Sequence, residues 1–285
     1  VRVARWLEDE FVAWVEPLYG RPCLKVALIS VDHILNENLW PIRTVVLTSA
    51  TVPANLAVRL GLEEEDFNYE DVGSPFDFEN QALLYCASHL PDPRAENYRD
   101  ALHDEIERLI IAAGGRSLVL FTSRRALDEA TTYLRPRLPW TVLHQDDLPK
   151  PALIAAFARE EESCLFGTKG LWHGIDVPGP SCSLVIIDRI PFPSPVDPLL
   201  SARREKVGDK SFNEIDLPIA ATELSQGVGR LIRSTSDFGV AAVLDSRLAK
   251  NRSYRGQLIE ALPPMTRTVD QESVLSYLER IETRT

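Results

Sequence analysis

From about Arg116 onward, short apolar runs alternate with amphipathic stretches, in the two periods that strands and helices impose on a chain. Ser117–Phe121 reads as a buried strand, and Arg124–Arg135 as a helix with Leu127, Ala130 and Leu134 inward. Thr141–Leu143 predicts a second strand, Lys150–Arg159 a helix with Leu153, Ile154 and Phe157 inward, and Ser163–Phe166 a third strand. Ser183–Ile187, a long helix around Ala220–Ile232 and the strand Gly239–Leu244 continue the series. Such alternation gives an α/β fold, a mostly parallel sheet with helices on both faces. Before it, Asn97–Ala113 carries the helical stripe Leu102, Ile106, Leu109, Ile110 and ends at Gly114-Gly115. The tail Asp270–Glu282 sets Val274, Leu275, Leu278 and Ile281 on one face, with Asp270 as cap. Pro191-Phe192-Pro193-Ser194-Pro195 reads as a rigid surface loop.

The first 47 residues follow another pattern. Arg2–Leu7, Phe11–Val15 and Leu24–Ile29 suggest strands, a short helix follows near His33–Leu39, and Thr44–Leu47 runs as a strand into Thr48-Ser49-Ala50-Thr51. The strand, glycine loop and helix that open an independent nucleotide-binding domain are missing there. The expected organisation is a short remnant of a preceding domain over 1–51, a connecting segment over 52–96 and the main domain over 97–285.

Composition narrows the class. The chain has 285 residues, 45% apolar and 26% charged, which is ordinary for a globular protein with a sizeable core. Runs such as Leu118-Val119-Leu120-Phe121 are too short to cross a bilayer, so a soluble cytoplasmic protein without a membrane partner is expected. Cys23, Cys86, Cys164 and Cys182 are too scattered for a zinc or iron–sulfur site and read as buried free thiols. A net charge of −11 argues against wholesale coating of nucleic acid and leaves room for a local basic groove, for which Arg124, Arg125 and Lys169 are the candidates.

Four segments carry candidate chemistry. In Gln226-Gly227-Val228-Gly229-Arg230-Leu231-Ile232-Arg233, helical spacing would put Gln226, Arg230 and Arg233 on one face. Two planar guanidinium forks and an amide so aligned suit a triphosphate, and the interior glycines suit close approach of a ligand. A solvated basic face is the plainer alternative. Thr48-Ser49-Ala50-Thr51 and Thr122-Ser123-Arg124 each follow an apolar run, where α/β sheets bind ligands at the carboxyl ends of strands. A simple turn and a helix cap at Ser123 are their structural alternatives. Phe166 to Gly179 is glycine-dense and carries Thr168, Lys169, Trp172, Gly174 and Asp176. There the backbone can approach a sugar-phosphate chain while Trp172 stacks on a base or anchors the loop.

In this order and spacing the four segments resemble helicase motifs III, IV, V and VI of superfamily 2, in its XPD/DinG branch, and Ile190-Pro191-Phe192 with Pro195 resembles that branch's Pro-Phe-x-x-Pro loop. The resemblance spans roughly Thr44 to Asp245. It implies a RecA-like second motor domain of an ATP-dependent DNA helicase. Arg230 and Arg233 would then act as γ-phosphate sensors or arginine fingers together with Gln226, and Gly174, Asp176 and Gly229 would complete the nucleotide contacts. Thr122, Ser123, Arg124, Thr168, Lys169 and Trp172 would contact single-stranded DNA, and Ser49 and Thr51 would couple the two ends. His173 departs from the acidic residue many relatives carry. Both arginines are expected near the carboxyl edge of the sheet.

No Gly-Lys dipeptide occurs, so the phosphate-cradling loop is absent. Asp128-Glu129-Ala130-Thr131 mimics the magnesium-holding motif inside a predicted helix, and Asp188 ends a strand. The resemblance therefore implies that ATP and Mg2+ are held mainly by a first motor domain in cis, where relatives often carry an iron–sulfur cluster, with no metal site in this chain. A monomer is expected, inactive as a hydrolase by itself. Two other readings stay open at this point: a non-catalytic nucleic-acid-binding or regulatory module on the same fold, and a dinucleotide enzyme, against which the missing Gly-x-Gly-x-x-Gly speaks.

Overall fold

The computed structural model describes residues 10–18, 20–49, 51–53, 55–172 and 181–283. They form two compact units, one from 1–72 with 192–222 and one from 73–191 with 223–285. In the first, β1 (Phe11–Leu18) and β2 (Arg21–Leu28) pair antiparallel, with Phe11 opposite Leu28 and the left-handed Gly20 at the turn. The helix Asp32–Asn38 follows. Arg203 Nε, on the helix Pro198–Val207, donates to the Ile29 carbonyl at 2.8 Å, and Asn55 Nδ2 donates to the Glu214 carbonyl at 2.9 Å. Residues 192–222 are thus fastened to the amino-terminal segment, whereas the sequence pattern placed them in the main domain.

Thr44–Leu47, expected as a strand, has no regular structure, and Val46 is 82% exposed. A strand is stable only through a ladder to a neighbour, and no strand among the described residues pairs with it. The predicted strand Arg2–Leu7 lies outside the described residues.

The second unit is built on seven strands: β3 (Ala82–Cys86), β4 (Ser117–Phe121), β5 (Val142–His144), β6 (Cys164–Thr168), β7 (Leu184–Ile187), β8 (Gly239–Val243) and β9 (Thr266–Thr268). They lie in the order β5-β6-β4-β7-β8-β3-β9, and every pairing is parallel. The central strands are buried on both faces, which is why they read as continuous apolar runs. Val119, Phe121, Phe166 and Ile186 join one core cluster with the helices Tyr98–Ala112, Arg124–Leu134 and Gln271–Glu282. The alternate strand positions face the other way, where Leu171 lies over Gly167 and Leu231 over Gly239.

Local signals agree with the pattern. Ser123 and Asp270 cap their helices, accepting from the Ala126 and Ser273 amides. Gly114 and Gly115 end the helix before β4 with φ of 61° and 82°. Asp128, Glu129 and Thr131 lie within the helix Arg124–Leu134, so their resemblance to a magnesium motif is fortuitous. The segment 52–96, expected as a connector, contains β3. Its partners β8 and β9 lie more than 150 residues away, so only the apolar run Ala82-Leu83-Leu84-Tyr85-Cys86 announced it.

Candidate functional site

The carboxyl edge of the sheet gathers several predicted contacts. Thr122 follows β4; its amide donates to Asp188 Oδ1 at 2.8 Å and its hydroxyl to Asp188 Oδ2 at 3.2 Å. Asp188, the residue after β7, is fully buried, and burial pushes its carboxyl up to about 6 against the opposing pull of Arg189 and the two Thr122 bonds. Arg189 Nε stands 3.6 Å from Asp188 Oδ2, and its guanidinium covers the Tyr98 ring at 5.4 Å. With Arg94 and Arg99 it lines a polar recess beside the strand ends. The sequence reading overlooked Arg189, although a cation two residues past the apolar run Leu184–Ile187 was its signal.

The other expected strand contacts are engaged within the protein. Ser123 serves as the helix cap. Arg124 is paired with Asp146 and Asp128, and Arg125 with Glu129 at 2.8 Å. The Thr168 amide and hydroxyl both donate to Gln145 Oε1, at 2.7 and 3.0 Å. Lys169 Nζ lies 2.6 Å from Glu223 Oε1 while its side chain keeps 58% of its exposure. The pairs of Arg124 and Arg125 are exposed and weak, so a phosphodiester can compete for these two cations, whereas Lys169 is paired with a buried carboxylate. Ser49 Oγ donates to the Thr51 carbonyl at 2.8 Å and accepts from the Thr51 amide at 3.2 Å, a self-contained turn in the other unit. His173, Gly174, Asp176 and the side chain of Trp172 lie outside the described residues.

The arginine segment departs from its predicted geometry in two ways. The helix is Leu217–Val228, so Arg230 and Arg233 lie beyond its end rather than on one face with Gln226. Arg230 N donates to the Gly227 carbonyl at 3.2 Å and Leu231 N to the Val228 carbonyl at 3.1 Å, the tighter turn with which helices unwind. A β-carbon at Gly229 would stand 3.1 Å from the Ser225 carbonyl, a close approach that glycine accommodates.

The segment also lies at the amino edge of the sheet, not the carboxyl edge. Gln81, just before β3, donates to the carbonyls of Ser234, Thr235 and Asp237, and Val240 N, in β8, donates to the Ser183 carbonyl just before β7. A crossover helix runs antiparallel to the strand it feeds, so its carboxyl end emerges where that strand begins. The carboxyl-edge expectation belongs to folds whose own strand–loop–helix cradles the phosphate, and this chain has no such loop. Cys182 marks the same neighbourhood: burial pushes its thiol up to about 12, with the Arg233 guanidinium pulling the other way.

Arg230 and Arg233 are half-buried, and the buried Gln226 side-chain oxygen has no hydrogen-bond partner among the described residues. Each guanidinium is a planar fork of donors, the kind of group that binds polyphosphates. Among the described residues no group of three or more His, Cys, Asp or Glu side chains is placed to hold a metal ion.

Residues 106–265 match the protein family described as the helicase C-terminal domain. The ATP-dependent helicase DinG of Mycobacterium tuberculosis is 44% identical over 272 residues, covering 92% of this chain and 41% of that protein. The ATP-dependent DNA helicase YoaA of Haemophilus influenzae is 36% identical over 242 residues, covering 82% and 37%. The chain thus spans about two fifths of the length of these curated relatives. A solved XPD helicase structure superposes with a TM-score of 0.62 at 19% identity, covering 86% of this chain and 46% of that one. An apo XPD structure gives 0.63 at 20% identity, covering 86% and 52%. These two likenesses establish the RecA-like fold.

Proposed function

We propose that this chain, which belongs to the helicase C-terminal domain family, is the second motor domain of an ATP-dependent DNA helicase that couples ATP hydrolysis to movement along single-stranded DNA. The observation that carries the reading is the helix Leu217–Val228. Through Glu223 it is tied to Lys169 at the carboxyl edge, and its other end, with Gln226 in the last turn, releases Arg230 and Arg233. One rigid element thereby joins a cationic edge suited to a phosphodiester chain with a donor set suited to the γ-phosphate.

In this reading Arg230 and Arg233 stabilise charge on the transferring phosphoryl group, and Gln226 orients the nucleotide's end. Arg189 and Lys169 hold strand phosphates, with Thr122 and Thr168 fixing the loops that carry them. Gly229 sets the path of the arginines, and Ser49 and Thr51 belong to the relay between domains. ATP with Mg2+ would be held mainly by the first motor domain, where Mg2+ supplies charge neutralisation of the phosphates; an iron–sulfur cluster would likewise belong to that half. The motor would work in the cytoplasm as a monomer; no helix among the described residues is long and apolar enough to cross a membrane.

The test is single-strand-stimulated ATP hydrolysis by the complete helicase. Arg230→Ala and Arg233→Ala should each lower turnover by about 10³-fold or more, the range of arginine fingers. Undiminished turnover in both variants overturns the reading, as would robust ATP hydrolysis by residues 1–285 alone.

A further inference from the structure

Beyond the end of the helix Leu217–Val228, Arg233 has lost the helical hydrogen bonds that would fix its backbone, and two buried polar side chains replace them. Asp237 Oδ2 accepts from the amides of Arg233 and Ser234, both at 2.8 Å, while its Oδ1 accepts from the Ser234 hydroxyl at 2.7 Å. From the opposite side, Gln81 Nε2 faces the carbonyls of Thr235 and Asp237 at 3.0 and 2.9 Å and that of Ser234 at 3.3 Å. Gln81 is itself held: its Oε1 accepts from the Asp77 amide at 2.9 Å, and its carbonyl accepts from the Tyr277 hydroxyl at 3.2 Å. Asp237 therefore satisfies the loop's amides and Gln81 its carbonyls.

The burial is what makes this arrangement informative. Thr235 and Ser236 at the tip are exposed, and water could have served such a loop. Instead Gln81 and Asp237 are only 5% and 8% exposed, and each gives up its hydration to fix a few residues of backbone. A loop clasped on both its amides and its carbonyls has little freedom, and the residue at its head is Arg233.

We infer that Gln81 and Asp237 are positioning residues for Arg233, holding its backbone so that the guanidinium meets the nucleotide without reorganisation. The inference rests on the function proposed above. Preorganisation of this kind matters because a displacement of about 1 Å can cost roughly 10²-fold in rate. A clasp that merely closed the loop ahead of β8 would affect folding and leave the contribution of Arg233 untouched.

Two near-isosteric substitutions separate these roles in the complete helicase. Asp237→Asn replaces one acceptor oxygen by a donor. Gln81→Glu keeps the acceptor for the Asp77 amide and removes the donor to the three carbonyls. Each should lower kcat for single-strand-stimulated ATP hydrolysis by about 10- to 100-fold, with single-strand affinity in the absence of nucleotide unchanged. Placed on Arg233→Ala, either change should cost less than about twofold further, because residues that act through one group are not additive. Losses that multiply in the double variants, or unchanged kcat in both single variants, overturn the inference. If Asp237→Asn does not fold, as judged by thermal unfolding, Gln81→Glu carries the same comparison. Full activity of Arg233→Ala would overturn the inference, and full activity of both Arg230→Ala and Arg233→Ala the functional reading itself, outcomes distinct from multiplying losses.

Discussion

Lys169 Nζ and Glu223 Oε1 stand 2.6 Å apart and join the carboxyl end of β6 to the helix that feeds β8. Glu223 lies three residues before Gln226, on the same side of the helix. A phosphodiester arriving at Lys169 must compete with Glu223, and the competition acts on the element that carries the arginine segment. Glu223→Gln should tighten single-strand binding by at least about fivefold, since roughly 1 kcal/mol is the upper worth of a fully exposed pair and this carboxylate is buried. The ratio of strand-stimulated to basal ATP hydrolysis should fall at the same time. Fluorescence anisotropy and steady-state turnover measure the two effects, and no change in either would remove the pair from the coupling route.

Asp188 gives a pH-dependent prediction. Its folded carboxyl is raised to about 6, chiefly by burial, above the unfolded value near 4. Between those values the folded state binds more protons than the unfolded one, so this group's contribution to stability falls as pH rises and levels off above about pH 6. Asp188→Asn keeps an acceptor for the Thr122 amide and removes the buried charge. From pH 5 to pH 8 the stability of the variant relative to the parent should rise by roughly 1–2 kcal/mol in urea unfolding. A constant difference across that range would show that Arg189 and Thr122 fully offset the burial.

The legible part of this chain was whatever depends on neighbours in sequence. The period of Leu127, Ala130 and Leu134 defined one helix, the caps at Ser123 and Asp270 defined two starts, and the run Ser117–Phe121 defined a central strand. Partnership over long distances was not legible. β3 pairs with β8 and β9 far along the chain, and Arg203 fastens residues 192–222 to Ile29. The functional residue types were readable, yet their partners Asp188, Gln145, Asp146 and Glu223 come from other loops and helices. The end of the helix was not legible either: the segment Gln226–Arg233 read as one continuous helix, whereas the helix stops at Val228.

The cysteines allow a check on the core. Burial raises the thiols of Cys86 to about 11 and of Cys164 and Cys182 to about 12, whereas Cys23 is half-exposed. Because the thiolate is the nucleophile, a maleimide should label Cys23 alone in the native chain and all four cysteines after unfolding. Mass spectrometry of the labelled chain decides it. Prompt native labelling of Cys182 would mean that the loop carrying Arg233 opens readily at the amino edge.

Gln226 separates stability from function. Its buried side-chain oxygen has no hydrogen-bond partner among the described residues, and a buried acceptor left unmatched costs about 1–3 kcal/mol. In a nucleotide site the attacking water can supply the missing donor, since the phosphate oxygens are themselves acceptors. Gln226→Met, of similar volume and without the polar atoms, should raise the unfolding free energy of the chain by about 1 kcal/mol. In the complete helicase the same change should lower strand-stimulated ATP hydrolysis by at least about tenfold. Greater stability with lost turnover would place the unmatched oxygen in the nucleotide site. Lower stability with unaltered turnover would make Gln226 a core residue and leave the arginines to act without it.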